Sequence, residues 1–205
     1  MPEEEWSPSP NFGSRNGKSI VAIVNHTSSG SFPGCLDWLQ DPSSKVSAHY
    51  IVTKTGRIIQ LVKEGDAAYH AGIVNTPHWE LYDGTNPNRY TIGIEHEGDS
   101  GVPLTDEQYQ ATLFLHRELT AKYGIPIDTD HIIGHYRIDS VNRPDCPGSA
   151  FPWDRLLNDL KGGVDVAEDT DKDIYLSVRV RTSKADALIA ELIAEGFATK
   201  KLELA

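Results

Sequence analysis

Cysteine is nearly missing from this chain: two residues, Cys35 and Cys146, stand among 205. A disulfide framework is thereby excluded, and a chain of this length does not require one. One bridge between the two is formally open, but it would consume a thiol that has another use below. Cations are also short, with 19 Lys and Arg against 30 Asp and Glu, for a formal net charge of −11. A protein that holds DNA or RNA by neutralising phosphates is disfavoured by that balance, so nucleic acid is not an expected partner. No apolar run approaches the length of a bilayer crossing, and no membrane partner is expected. The opening MPEEEWSPSP has neither a basic n-region nor an apolar h-region. Synthesis in the cytoplasm without a signal peptide is therefore the expectation.

What is present reads as one good-sized domain with a small appendage. Pro- and Ser-containing sequence up to about Gly17 reads as an irregular arm. Ile20 to Val24 is apolar throughout, as in a strand buried on both faces, and runs into Asn25-His26-Thr27. Cys35 to Gln40 predicts one or two helical turns in which Cys35 packs as an ordinary buried thiol. Ser47–Val52 and Arg57–Val62, separated by Lys54-Thr55-Gly56, predict a hairpin. A loop-like stretch from Glu64 to Asn88 is long enough to shape a site, and Tyr90–Gly98 resumes strand character. Thr105 with Gln108 three residues on signals a capping box for a helix over 106–123, stopped by Gly124 and Pro126. Ile132-Ile133 and a helix from Trp153 to Leu160 follow. This order predicts an α/β (α+β) fold with a central mixed β-sheet flanked by helices, over residues 1–162.

Residues 163–173 are acidic and read as a linker. Beyond them Ile174, Leu176, Val178 and Val180 alternate with polar residues, and Ser183 caps a helix carrying Leu188, Ile189, Leu192 and Ile193. With Lys200–Leu204 read as a second strand, the pattern predicts a small β-α-β unit over 174–205. So short a unit does not cover its own apolar residues, which suits homodimerisation or cell-wall targeting.

The chemistry concentrates in His131–Gly148, where His135 and Cys146 stand eleven residues apart. Imidazole and thiol both suit a borderline-soft ion such as zinc, and a third ligand must then come from elsewhere. Of the eight histidines, His26 and His135 each follow an apolar run and border a loop, whereas His78, His96, His116 and His131 take the ordinary structural reading. In Ile92-Gly93-Ile94-Glu95 the strand period aims Gly93 and Glu95 one way and the isoleucines the other. A carboxylate buried there is either half of an ion pair or a general base beside a metal.

From Ile20 to Trp153 the chain resembles the zinc-dependent N-acetylmuramoyl-L-alanine amidases of the amidase-2 family, related in fold to peptidoglycan recognition proteins. The likeness rests on Val24-Asn25-His26-Thr27, Ser47-Ala48-His49-Tyr50, Ala68-Tyr69-His70-Ala71-Gly72, Ile92-Gly93-Ile94-Glu95, and Gly134-His135 with Asp145-Cys146-Pro147-Gly148. It implies one Zn2+ per chain on His26, His135 and Cys146, Glu95 as the base, and His70, Tyr50 and Arg143 as substrate contacts. One branch of the family uses a tyrosine at the start of the hairpin, where counting back from Gly56 finds Ala48, followed by His49 and Tyr50. A lysine common two residues before the last ligand is Pro144 here, and Arg143 stands one residue earlier.

The implied activity is hydrolysis of the amide between N-acetylmuramic acid and L-alanine, with peptidoglycan or a muropeptide as the partner and substrate. A phage or prophage endolysin, released to the cell wall after synthesis, accommodates the tail. The alternatives are a cytoplasmic muropeptide-recycling amidase and a non-catalytic peptidoglycan-binding module, the latter expected to have lost a ligand.

Overall fold

The computed structural model describes residues 4–162, so the expected linker and β-α-β unit lie outside the described residues. Two short strands open the chain, β1 (Glu4–Trp6) and β2 (Phe12–Ser14). β3 (Ala22–Thr27) leads to α1 (Gly34–Gln40). β4 (Tyr50–Val52), β5 (Ile58–Gln60) and β6 (Asp66–Ala68) follow. Then come β7 (Thr91–His96), α2 (Asp106–Tyr123), β8 (Ile132–Gly134) and α3 (Trp153–Leu160). No helix among the described residues is long and apolar enough to cross a membrane.

Six strands form one mixed sheet in the order β1-β5-β4-β7-β3-β8, and β2 and β6 form a separate antiparallel pair. Among the described residues, only the β4–β5 hairpin is antiparallel within the large sheet. The expected irregular arm is thus corrected: β1 pairs parallel with β5, and β2 pairs with β6, a strand inside the stretch read as loop. Glu4, Glu5, Gly13 and Asp66 are poor strand formers, so these three-residue strands owe their conformation to partners far away in sequence.

Both faces of the sheet are covered. Ile23, Val52, Ile92 and Ile94 meet Ala111, Leu115 and Leu119 of α2. On the other face Ile51 and Ile59 pack with Cys35 and Leu39 of α1, while Val24 and Ile133 pack with Trp79 and Tyr90. Trp79 stacks on Tyr90 at 5.5 Å and donates to Asp130 O at 2.7 Å, so much of the long loop belongs to the core.

α2 begins and ends as its sequence signals, with one difference. The Thr105 hydroxyl accepts from Gln108 N at 3.1 Å, and Gly124 closes the helix at φ 63°. Gln108 does not return a side-chain bond to the cap. Its buried amide donates to Val52 O and Glu97 O, both at 3.0 Å, and so ties the helix to the ends of β4 and β7.

Candidate metal centre and active site

Parallel strands deliver side chains to a common crevice at their C-terminal ends, where open α/β sheets usually bind ligands. The register here aligns His26 of β3 with Glu95 of β7, on the face away from α2. On the other side of β3, Asn25 pairs with Gly134, so the chain leaves β8 with His135 beside His26. Cys146 comes from the following loop, which is tied back by Tyr136 N donating to Cys146 O at 3.1 Å. Asp139 shapes that loop by accepting from Val141 N and Asn142 N at 3.2 and 2.8 Å.

His26 Nδ1 and His135 Nδ1 stand 3.0 Å apart, and Cys146 Sγ is 4.0 Å from His26 Nδ1. The three ligand atoms all lie within 4.8 Å of one another. A tetrahedral metal with ordinary Zn–N and Zn–S bonds spaces its donors by roughly 3.3–3.7 Å. The set therefore fits a divalent ion after small side-chain adjustments. Its chemistry fits as well, because His135 Nε2 donates to Ala71 O at 3.0 Å, which leaves Nδ1 of the neutral ring bare toward His26. Burial, then the neighbouring His135 and His70, hold His26 well below its ordinary pKa. Burial lowers His135 also. Burial and then Glu95 push the Cys146 thiol up to about 12, a direction that a bound cation reverses.

Glu95 carries the remaining reactive group. Its Oε2 is buried without a hydrogen-bond partner, and burial raises its pKa to about 7 against the opposing pull of Arg143. Of the alternatives left open by the sequence, the ion pair is absent: no salt bridge among the described residues includes Glu95. His26, His135, Cys146 and Glu95 all line one open cavity of ≈ 810 Å³. Arg143 lines its rim, exposed to solvent.

Tyr50 is elsewhere, which corrects its expected substrate contact. Alternation along β4 turns it to the α2 face, where its hydroxyl donates to Glu64 Oε1 at 2.9 Å and it does not line the cavity. His49 also stays out, fully buried with Nδ1 accepting from Gly93 N at 3.0 Å. His70 is 6% exposed beneath His26, and its ring occupies the space over Gly93, where any Cβ would meet it at 2.3 Å. His78, His96, His116 and His131 line no part of the cavity. His96 instead bonds His26 O at 2.9 Å, and His116 bonds Thr112 O at 2.8 Å.

The sequence reading missed several wall residues. Trp38 on α1 and Ile73 line the cavity while 56% and 73% exposed, and Asp139 and Asn142 line it with Arg143. The exposed Trp38 had a detectable signal, a large aromatic off the Leu36/Leu39 stripe of a short helix. Ile73 had none. Arg15 is also new: its buried guanidinium donates to Glu64 O and Thr91 O at 2.7 and 3.1 Å and ties the arm to β7.

Residues 16–149 match the profile of the amidase-2 family, N-acetylmuramoyl-L-alanine amidase. The chain is 33% identical to N-acetylmuramoyl-L-alanine amidase A of Achromobacter lyticus, with 78% of this chain and 95% of that protein covered. It is 32% identical to the 1,6-anhydro-N-acetylmuramyl-L-alanine amidase AmpD of Salmonella typhimurium, covering 76% and 92%. Among solved structures it is similar to the amidase AmiD of Escherichia coli in complex with the substrate anhydro-N-acetylmuramic acid-L-Ala-D-γ-Glu-L-Lys. That match has a TM-score of 0.58 and 27% identity, over 97% of this chain and 78% of the other. With a family profile spanning well over half of its length and a relative covered almost end to end, this chain belongs to the amidase-2 family of N-acetylmuramoyl-L-alanine amidases.

Proposed function

We propose that the chain is a zinc amidase that cleaves the amide between the lactyl group of N-acetylmuramic acid and L-alanine. His26, His135 and Cys146 would hold one zinc ion. The observation that carries this reading is the meeting of three soft or borderline donors with a carboxylate whose Oε2 is buried without a partner, on one cavity. When bound, zinc supplies Lewis acidity that polarises the scissile carbonyl and acidifies water to a pKa of roughly 7.

The remaining chemistry belongs to the chain. Glu95, with a pKa near the working range, takes a proton from the attacking water and later hands it to the departing nitrogen. The C–N bond breaks, water's oxygen stays on the lactyl carbon, and the products are a carboxylate and a free L-alanine amino group. Arg143 at the rim, one residue before the Pro144 that stands where the family often has a lysine, would take over stabilisation of the oxygen on which negative charge develops. The cavity lined by Trp38, Asp139, Asn142 and Arg143 would receive the muropeptide.

Two physiological roles share this chemistry. The appended residues 163–205 support an endolysin, and the similarity to 1,6-anhydro-N-acetylmuramyl-L-alanine amidase AmpD supports muropeptide recycling. Rates on intact cell walls against soluble anhydro-muropeptides separate them. For the metal, elemental analysis of gently purified protein is expected to give one zinc per chain and a marked loss in Cys146→Ser, whose neutral hydroxyl is a poor ligand. Full activity in a metal-free preparation would overturn the reading.

A further inference from the structure

We propose that His70 is a positioning residue that fixes the tautomer of His26, and that the dipeptide His70-Ala71, pinned by Asn88, orients both imidazoles of the metal centre. The inference rests on the reading above that His26 and His135 are ligands, and deepens it.

The proton positions are fixed inward from an acceptor that cannot donate. Thr91 Oγ1 lies 2.8 Å from Pro87 O, and a carbonyl oxygen only accepts, so the hydroxyl proton is committed there. Toward His70 Nε2, 3.1 Å away, Thr91 Oγ1 offers a lone pair, so Nε2 of the neutral His70 carries the proton. His70 Nδ1 is then bare, and its 3.1 Å contact with His26 Nε2 requires His26 to donate. The one proton of neutral His26 is thus held on Nε2, and Nδ1 faces His135 and Cys146 as a lone pair. His135 reaches the same state through the next residue, by donating from Nε2 to Ala71 O.

Adjacent residues therefore set the two ligands, one with a side chain and one with a carbonyl. Their backbone is held as a unit, because Asn88 Oδ1 accepts from both His70 N and Ala71 N, at 3.1 and 2.8 Å. Asn88 is itself buried, and Gly93 provides the space in which the His70 ring lies. Both ring nitrogens of His70 are spent inside the protein, so His70, which lines the cavity, offers substrate its ring carbons while its polar atoms act through His26.

The test uses the full chain. His70→Leu removes the acceptor, whereas His70→Asn keeps an oxygen near the place of Nδ1. Chelator competition is expected to show zinc bound roughly 10- to 100-fold more weakly by the Leu variant, with most of the affinity retained in the Asn variant. Long-range nitrogen–proton NMR on the metal-free proteins is expected to find the His26 proton on Nε2 in wild type and His70→Asn, and spread over both nitrogens in His70→Leu. Equal zinc affinity in all three, or equal loss in both variants, would overturn the proposal. If the Leu variant does not fold, Asn88→Ala replaces it, and undiminished zinc affinity there would also overturn it. Wild-type protein that binds no zinc would refute the zinc reading alone, and the His26 spectrum would still decide the part played by His70.

Discussion

Glu95→Gln separates the electrostatic cost of this site from its chemistry, since the substitution keeps the shape and removes the charge. In the metal-free protein the Glu95 carboxyl is raised from 4.5 to about 7. The folded state therefore holds a proton that the unfolded state releases between those values. Its stabilising contribution is complete below about pH 4.5 and is lost as pH rises through 7. A rise from 4.5 to about 7 corresponds to about 3 kcal/mol, reduced to roughly 2 because the carboxyl borders a water-accessible cavity. Denaturation of EDTA-treated protein from pH 4 to 9 is expected to show the two proteins alike at the acid end. Near pH 8 the Gln variant should be roughly 2 kcal/mol more stable, a rise of several degrees in Tm. Zinc should shrink the difference, because a nearby cation favours the ionised carboxylate. Turnover should fall by roughly 10² or more with zinc content intact. Parallel pH–stability curves would refute the electrostatics, and near-normal turnover would return Glu95 to a structural role.

Two further outcomes follow from placement and a third from the sequence of the tail. Tyr50→Phe should cost roughly 1–2 kcal/mol in denaturation, through loss of the bond to Glu64, and leave turnover unchanged because the ring faces α2; a large drop in kcat would contradict that. Gly93→Ala drives a Cβ to 2.3 Å from the His70 ring, so zinc affinity by chelator competition should fall together with roughly 1–3 kcal/mol of stability, and unchanged affinity would refute the cradle. Truncation after Lys161 should lower the light-scattering mass from dimer to monomer while cleavage of soluble muropeptides persists, and an unchanged mass would remove the dimer reading of residues 174–205.

Much of the site was readable before the structure because period-two alternation is a local property. It put Gly93 and Glu95 on one face of β7 and the isoleucines on the other, as found. The opposition of His26 and Glu95 was not readable, since parallel register is set by tertiary packing. Tyr50 went astray where a family motif outweighed that same alternation, which places it in register with Ile94 and under α2. β1, β2 and β6 were missed because edge pairing, rather than local preference, makes them strands. The work of Thr91, Asn88 and Ala71 in orienting two imidazoles depends on bonds spanning long stretches of chain, and residue types alone carry no trace of it.

The bond cut is the most direct test of the whole account. Purified protein incubated with zinc and a defined muramoyl-peptide, followed by mass spectrometry, is expected to give a lactyl-terminated N-acetylmuramic acid and a peptide with a free L-alanine amino terminus. Both products should vanish on chelation and return with added zinc. Cleavage at a glycosidic bond or within the peptide stem, or the same products undiminished in excess chelator, would contradict it.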